Sequence, residues 1–267
     1  DGNLASLLVA NTVKSGLEPL GIHVNGHVDL LGPIWENRPS LPTNAAYLLP
    51  IENTGKSTSD KLAEVRAELK KQHVESHLIS SLDDIAWLLN IRGTDVNCNP
   101  VVLAFVYLTQ TEAHLYIADG KLSEQAINEL KLAGITVKSY EMVYEWIQVL
   151  NTATILLDPK RTCFAVYDSI PKNVKIIEAL NPSNLLKAVK NEVELAHTRN
   201  AMINDGVALT KFFKWLEEHV ATGNLSEISI AEKLQGYREE QPGFKDISFD
   251  TIAGYKDHGA LPHYKAE

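Results

Sequence analysis

Apolar positions along this chain change period repeatedly, and each change predicts an element. Leu4, Leu7, Leu8 and Val13 recur at near-helical spacing within residues 4–14, ahead of a short apolar run at Ile22-His23-Val24 and a polar, proline-marked stretch from Pro33 to Pro50. They predict a helix, a strand and a connector in turn. Ser57-Thr58-Ser59-Asp60 supplies helix-start chemistry, Leu62, Val65 and Leu69 repeat on one face behind it, and Lys70 and Lys71 stand where the helix dipole favours cations. A strand at His77-Leu78-Ile79 follows, then a helix over 83–90, strands over 101–107 and 113–117 joined as a hairpin, and a helix over 123–132. Ile135-Thr136-Val137 predicts a strand, residues 142–150 a helix, and Thr154-Ile155-Leu156-Leu157 a buried strand. Strands interleaved with helices, with one hairpin among them, predict an α/β fold in the mixed α+β sense, its mixed sheet covered by helices.

Asn181-Pro182-Ser183 marks a boundary by its turn chemistry. From Asn191 a long amphipathic helix is predicted, opened by a capping box with Glu194 and carrying Val193, Leu209, Phe212, Phe213 and Leu216 as apolar positions. A second helix starts at Ser226 or Ser229 and turns Ile230, Leu234 and Tyr237 inward. Residues 248–253 and 260–264 then read as strands flanking the loop Gly254-Tyr255-Lys256-Asp257-His258-Gly259. Two helices and one incipient hairpin cannot close a sheet core, so the chain is expected to be cut at its carboxyl end. Its amino end, Asp1-Gly2-Asn3-Leu4, is expected to enter midway, with neither an initiator Met nor a signal-peptide pattern.

Composition narrows the function classes. With 267 residues, 45% hydrophobic and 22% charged, the chain is expected to be soluble and long enough for two compact units. Lys+Arg 25 against Asp+Glu 34 leaves a net charge of -9, no footprint for phosphate backbones or anionic lipid, so neither nucleic acid nor membrane is expected as a partner. No run reaches the roughly 20 apolar residues that a bilayer span requires. Cys98 and Cys163 are too few for a disulfide scaffold and lack zinc-type pairing, which points to reduced thiols and a cytoplasmic location. The glycosylation-like triplet Asn224-Leu225-Ser226 carries no weight without secretion.

Candidate chemistry is sparse. Glu194 and His197 have the Glu-x-x-His spacing of carboxylate-bridged metal sites, but no second copy occurs and Glu194 already serves the cap. His23 and His27 straddle Asn25-Gly26, which argues against the rigid helix needed for a metal grip. His258 and His263 have no Cys partner, so a closed zinc site is not expected. His263 follows Leu261-Pro262 in an apolar setting where an imidazole can exchange a proton with substrate, although the residues alone favour a hydrogen-bonded core histidine. Gly-x-Ser-x-Gly, Walker-type and Gly-x-Gly-x-x-Gly loops are absent, which removes the simplest hydrolase and nucleotide-binding readings. Arg92-Gly93-Thr94-Asp95 reads as a turn with a local Asp cap rather than an adhesion motif.

Asp84-Ile85-Ala86-Trp87-Leu88-Leu89-Asn90-Ile91-Arg92-Gly93-Thr94-Asp95, followed by Asn99-Pro100-Val101, resembles the middle domain of the three-domain Xaa-Pro aminopeptidases, the aminopeptidase P family. The likeness continues in order. Ile34-Trp35-Glu36-Asn37-Arg38-Pro39 is similar to the exit from that family's first domain, and residues 187–197 to the entry into its catalytic domain. Phe213-Lys214-Trp215-Leu216-Glu217, Ser248-Phe249-Asp250-Thr251-Ile252-Ala253 and His263-Tyr264 follow suit. The resemblance implies residues 1–53 as the end of a first creatinase-like domain, 54–184 as a second one, and 185–267 as the start of a pita-bread metallopeptidase domain.

It also implies a peptidase that releases the residue ahead of proline, acts on peptides with proline at the second position, works as a homodimer when complete, and holds two divalent metals, manganese or alternatively zinc. His263 inherits the catalytic, substrate-contacting role of the family's His-Tyr motif. The family's metal ligands all follow that motif, so no metal or other cofactor is expected in this chain, which is read as inactive alone. The alternative is a metal-free relative serving binding or subunit assembly. Gly206 departs from the family's usual alanine, at about 1 kcal/mol of helix propensity.

Overall fold

The computed structural model describes residues 1–267 as two compact units, Asp1–Lys190 and Asn191–Glu267. In the first, α1 (Leu7–Leu17) starts at a Ser6 cap and ends where Gly21 takes a left-handed φ of 74°. The Ile22 N–H donates to the Leu17 carbonyl there. That bond belongs to a helix terminator, in which a glycine and the apolar residue after it close the last turn. Residues 22–24 are therefore coil, correcting the expected strand.

Beyond a long coil come β1 (Tyr47–Leu48), α2 (Ile51–Thr54), α3 (Thr58–Lys71), β2 (Ser76–Ile79), α4 (Leu82–Leu88) and β3 (Ile91–Arg92). Then follow β4 (Ala104–Thr109), β5 (Ala113–Ile117), α5 (Glu124–Leu132), β6 (Thr136–Ser139), α6 (Met142–Gln148), β7 (Thr154–Leu157), α7 (Phe164–Asp168), β8 (Lys175–Glu178) and α8 (Pro182–Ala188). β1 and β3 form a small antiparallel pair. The other six strands form one sheet in the order β6-β5-β4-β2-β7-β8. β4 runs antiparallel to both β2 and β5, and the remaining neighbours are parallel.

Alternation along β4 shows why the sheet needs helices on both sides. Val106 and Leu108 join Leu62, Val65, Ile85, Leu88 and Leu130 of α3, α4 and α5 in one core, whereas Phe105 and Tyr107 join Val143, Ile147 and Val166 of α6 and α7 in another. A strand buried on both faces reads as an unbroken apolar run, so period alone could not locate its ends. The expected strand over 101–107 is displaced accordingly. Val101 and Val102 are buried in the turn before β4, and the Asp95 carboxylate takes the Leu103 N–H.

Asn181-Pro182-Ser183 opens α8. Proline at a first helical position has no N–H to waste, and the helix lies within the first unit. The two compact units divide between Lys190 and Asn191.

The second unit is built on α9 (Glu192–His219) and α10 (Glu227–Glu239). Asn191 and Glu194 make the expected capping box, and Ser226, not Ser229, caps α10. Ala208, Phe212 and Leu234 are the buried side chains between the two helices. The strands expected over 248–253 and 260–264 do not form. Their place is taken by coil and a short 3₁₀ turn, Lys256–Ala260, whose main-chain bonds are local: Leu261 N–H to His258 and Tyr264 N–H to Leu261. A two-stranded ribbon without a covered face is marginal, and neither segment has a third strand to pair with.

Candidate functional site

In the second unit, three positions distant in sequence converge on Glu227, the first residue of α10. The Tyr255 N–H donates to its Oε1 at 2.5 Å and the Tyr264 hydroxyl to its Oε2 at 2.7 Å, while His258 Nδ1 lies 3.1 Å from both oxygens. The His258 and Tyr264 rings pack with centroids 4.6 Å apart. These donors, Tyr264 foremost, then the Tyr255 N–H and His258, hold the Glu227 carboxyl below the usual carboxylate range. The same carboxylate pushes the Tyr264 phenol up.

Glu227, His258, Tyr255, Leu225, Ile230 and Val220 line a cavity of about 460 Å³. An ionised carboxylate holding Nδ1 fixes the tautomer and orientation of an imidazole, which leaves Nε2 to trade a proton with a ligand. Nε2 of His258 has no hydrogen bond within the chain.

His263 stands at the same turn, exposed, with a left-handed φ of 56°, and does not line that cavity. The structure thus joins His258 and Tyr264 through Glu227, a residue that sequence reasoning missed. The contacts span 28, 31 and 37 positions, so no local motif announces them; the only signal was an acidic residue in the first turn of a predicted helix.

Other candidates resolve as structure. Glu194 accepts the Asn191 N–H at 2.9 Å within its cap. His27 Nε2 lies 3.2 Å from Asp168. Asp95 of the Arg-Gly-Thr-Asp turn pairs with buried Lys121 at 2.5 Å, and a Cβ on Gly93 would fall 2.5 Å from Val102 Cγ1. Asp84 accepts from Ser81 and Asn181 and pairs with Lys187 at 3.0 Å. The segment that carries the resemblance is thus an internal brace of the first unit. No group of three or more His, Cys, Asp or Glu side chains comes together to hold a metal ion, and Glu227 with His258 offers only a pair of donors. These residues do not fit a dinuclear centre.

Comparison with known proteins gives the class to which this sheet unit and its helical continuation belong. The chain belongs to the creatinase/prolidase N-terminal domain family, which matches residues 37–194, and residues 196–267 match metallopeptidase family M24. Xaa-Pro aminopeptidase 1 of Dictyostelium discoideum is 37% identical over 238 residues, covering 87% of this chain and 38% of that protein. A probable Xaa-Pro aminopeptidase P of Laccaria bicolor is 38% identical over 248 residues, covering 90% and 38% respectively. The crystal structure of X-prolyl aminopeptidase from Caenorhabditis elegans, described as a cytosolic enzyme with a di-nuclear active site, superposes with a TM-score of 0.92 at 31% identity, over 99% of this chain and 44% of that one. The chain therefore spans about two fifths of the length of the curated relatives it matches.

Proposed function

We propose that this chain is part of an Xaa-Pro aminopeptidase, a metallopeptidase that releases the N-terminal residue of peptides with proline at the second position. The observation that carries the reading is the superposition of 99% of the chain on the Caenorhabditis elegans enzyme, at 31% identity. That relative's cytosolic description supports a cytoplasmic location, and no helix of this chain is long and apolar enough to cross a membrane. The complete enzyme is proposed to act as a homodimer with manganese, or zinc, at its dinuclear site.

Within this reading His263 contacts the substrate, and Glu227, by holding His258 and Tyr264, positions the turn that presents it. Amide hydrolysis at neutral pH needs an activated water and charge stabilisation, which a pair of metals about 3.5–4 Å apart supplies when bound. One imidazole supplies neither in full, so the 267 residues alone are proposed not to hydrolyse peptides.

Intact mass of the polypeptide isolated from its source, with an Arg-Pro peptide assay on the same sample, tests the reading. A longer chain that releases arginine in a metal-dependent way supports it. A polypeptide ending naturally at Glu267, without activity, favours the metal-free binding or assembly relative instead, which the lack of a converging donor set would also suit.

A further inference from the structure

The chain contains a single Asn-Gly pair, Asn25-Gly26, and the fold places it where an asparagine can react with its own backbone. The pair lies in coil, with Asn25 exposed. Asn25 Oδ1 accepts the His27 N–H at 2.9 Å, which draws electron density from the side-chain amide carbon. The group that attacks in cyclisation is the Gly26 nitrogen, whose N–H takes part in no hydrogen bond of the structure. Glycine also brings no Cβ to hinder the approach.

We infer that Asn25 is a site of spontaneous deamidation. The Gly26 nitrogen gives up its proton and bonds to Asn25 Cγ, the Cγ–Nδ2 bond breaks, and the side-chain nitrogen takes up that proton and leaves as ammonia. The resulting succinimide is opened by water at either ring carbonyl, giving aspartate or isoaspartate. No oxidant, reductant or further reactant enters.

The modification acts on a clasp. The Gly26 carbonyl accepts the Gly2 N–H at 2.7 Å, and the Gly2 carbonyl accepts the Ala165 N–H of α7 at 2.9 Å. Gly26 presses so closely on Phe164 that a Cβ there would fall 2.8 Å from two ring carbons. Isoaspartate routes the main chain through the side-chain methylene and lengthens it just before Gly26, so the carbonyl cannot keep its place against Gly2. The new carboxylate also appears beside the contact between His27 and Asp168.

The test is to age the 267-residue chain in mildly alkaline buffer and follow each asparagine-bearing peptide by mass spectrometry, with Asn25→Gln as control. The peptide bearing residue 25 is expected to convert from amide to acid at least about tenfold faster than those bearing exposed Asn37 and Asn224, and backbone hydrogen exchange at Gly2 and Ala165 to quicken in the aged chain but not in aged N25Q. Conversion at residue 25 no faster than at Asn37 and Asn224 overturns the assignment. Conversion without any change at Gly2 and Ala165 overturns the clasp.

Discussion

Asp95 and Lys121 are both sealed from solvent, their side chains 0% and 1% exposed. Lys121 also reaches the Pro42 carbonyl at 3.2 Å, so one ammonium ties the turn after β3, the start of α5 and the preceding coil together. Lys121→Met leaves a buried carboxylate unpaired, and the expected loss is about 3–5 kcal/mol in urea unfolding. His77 gives a prediction of the opposite kind. It is wholly buried on β2, donates from Nδ1 to the Leu156 carbonyl at 2.9 Å, and has its pKa lowered to about 4 by burial, against the opposing pull of that bond and of Asp84 and Asp158. The unfolded chain takes up this proton below pH ~6.5 and the folded one only near pH 4. Stability from His77 is therefore flat above pH ~6.5 and falls as the pH drops through that window, by about 3 kcal/mol in all. Urea unfolding at a series of pH values should show that slope in the parent chain and lose it in His77→Phe.

Elements with a chemical start signal were legible before any coordinates. Ser57 and Asn191 cap α3 and α9 as their positions suggested, Ser123 opens α5 at the start of its expected span, and β7 occupies the expected run Thr154–Leu157. Asn191→Ala removes the side-chain half of the α9 capping box, leaving the residue-191 N–H on Glu194, and should cost about 1 kcal/mol, read as a lower thermal midpoint by circular dichroism. What sequence could not show is whatever depends on a partner. β1 and β3 are each two residues long and exist only because they pair with each other. β8, at Lys175–Glu178, has charged ends and no alternation, and forms because β7 offers it an edge. The reverse holds for residues 248–253 and 260–264, which have strand-like composition but no ladder. The acidic hub at Glu227 was invisible for the same reason: a first-turn carboxylate, a loop amide and two rings meet there only after folding.

At the scale of the whole molecule, the first unit is braced from within by the very motif that resembles the middle domain of Xaa-Pro aminopeptidases, through Asp84, Asp95 and their partners. The second unit carries the His-Tyr turn and its hub, without a donor set for two metals. Family membership rests on the match over residues 37–194 and on the relatives' identity, while hydrolysis by a longer polypeptide is what we propose. A manganese titration of the 267-residue chain by isothermal calorimetry puts this most directly to the test. No saturable binding is expected, and two manganese ions taken up per chain would contradict the proposal that the dinuclear site lies outside these residues.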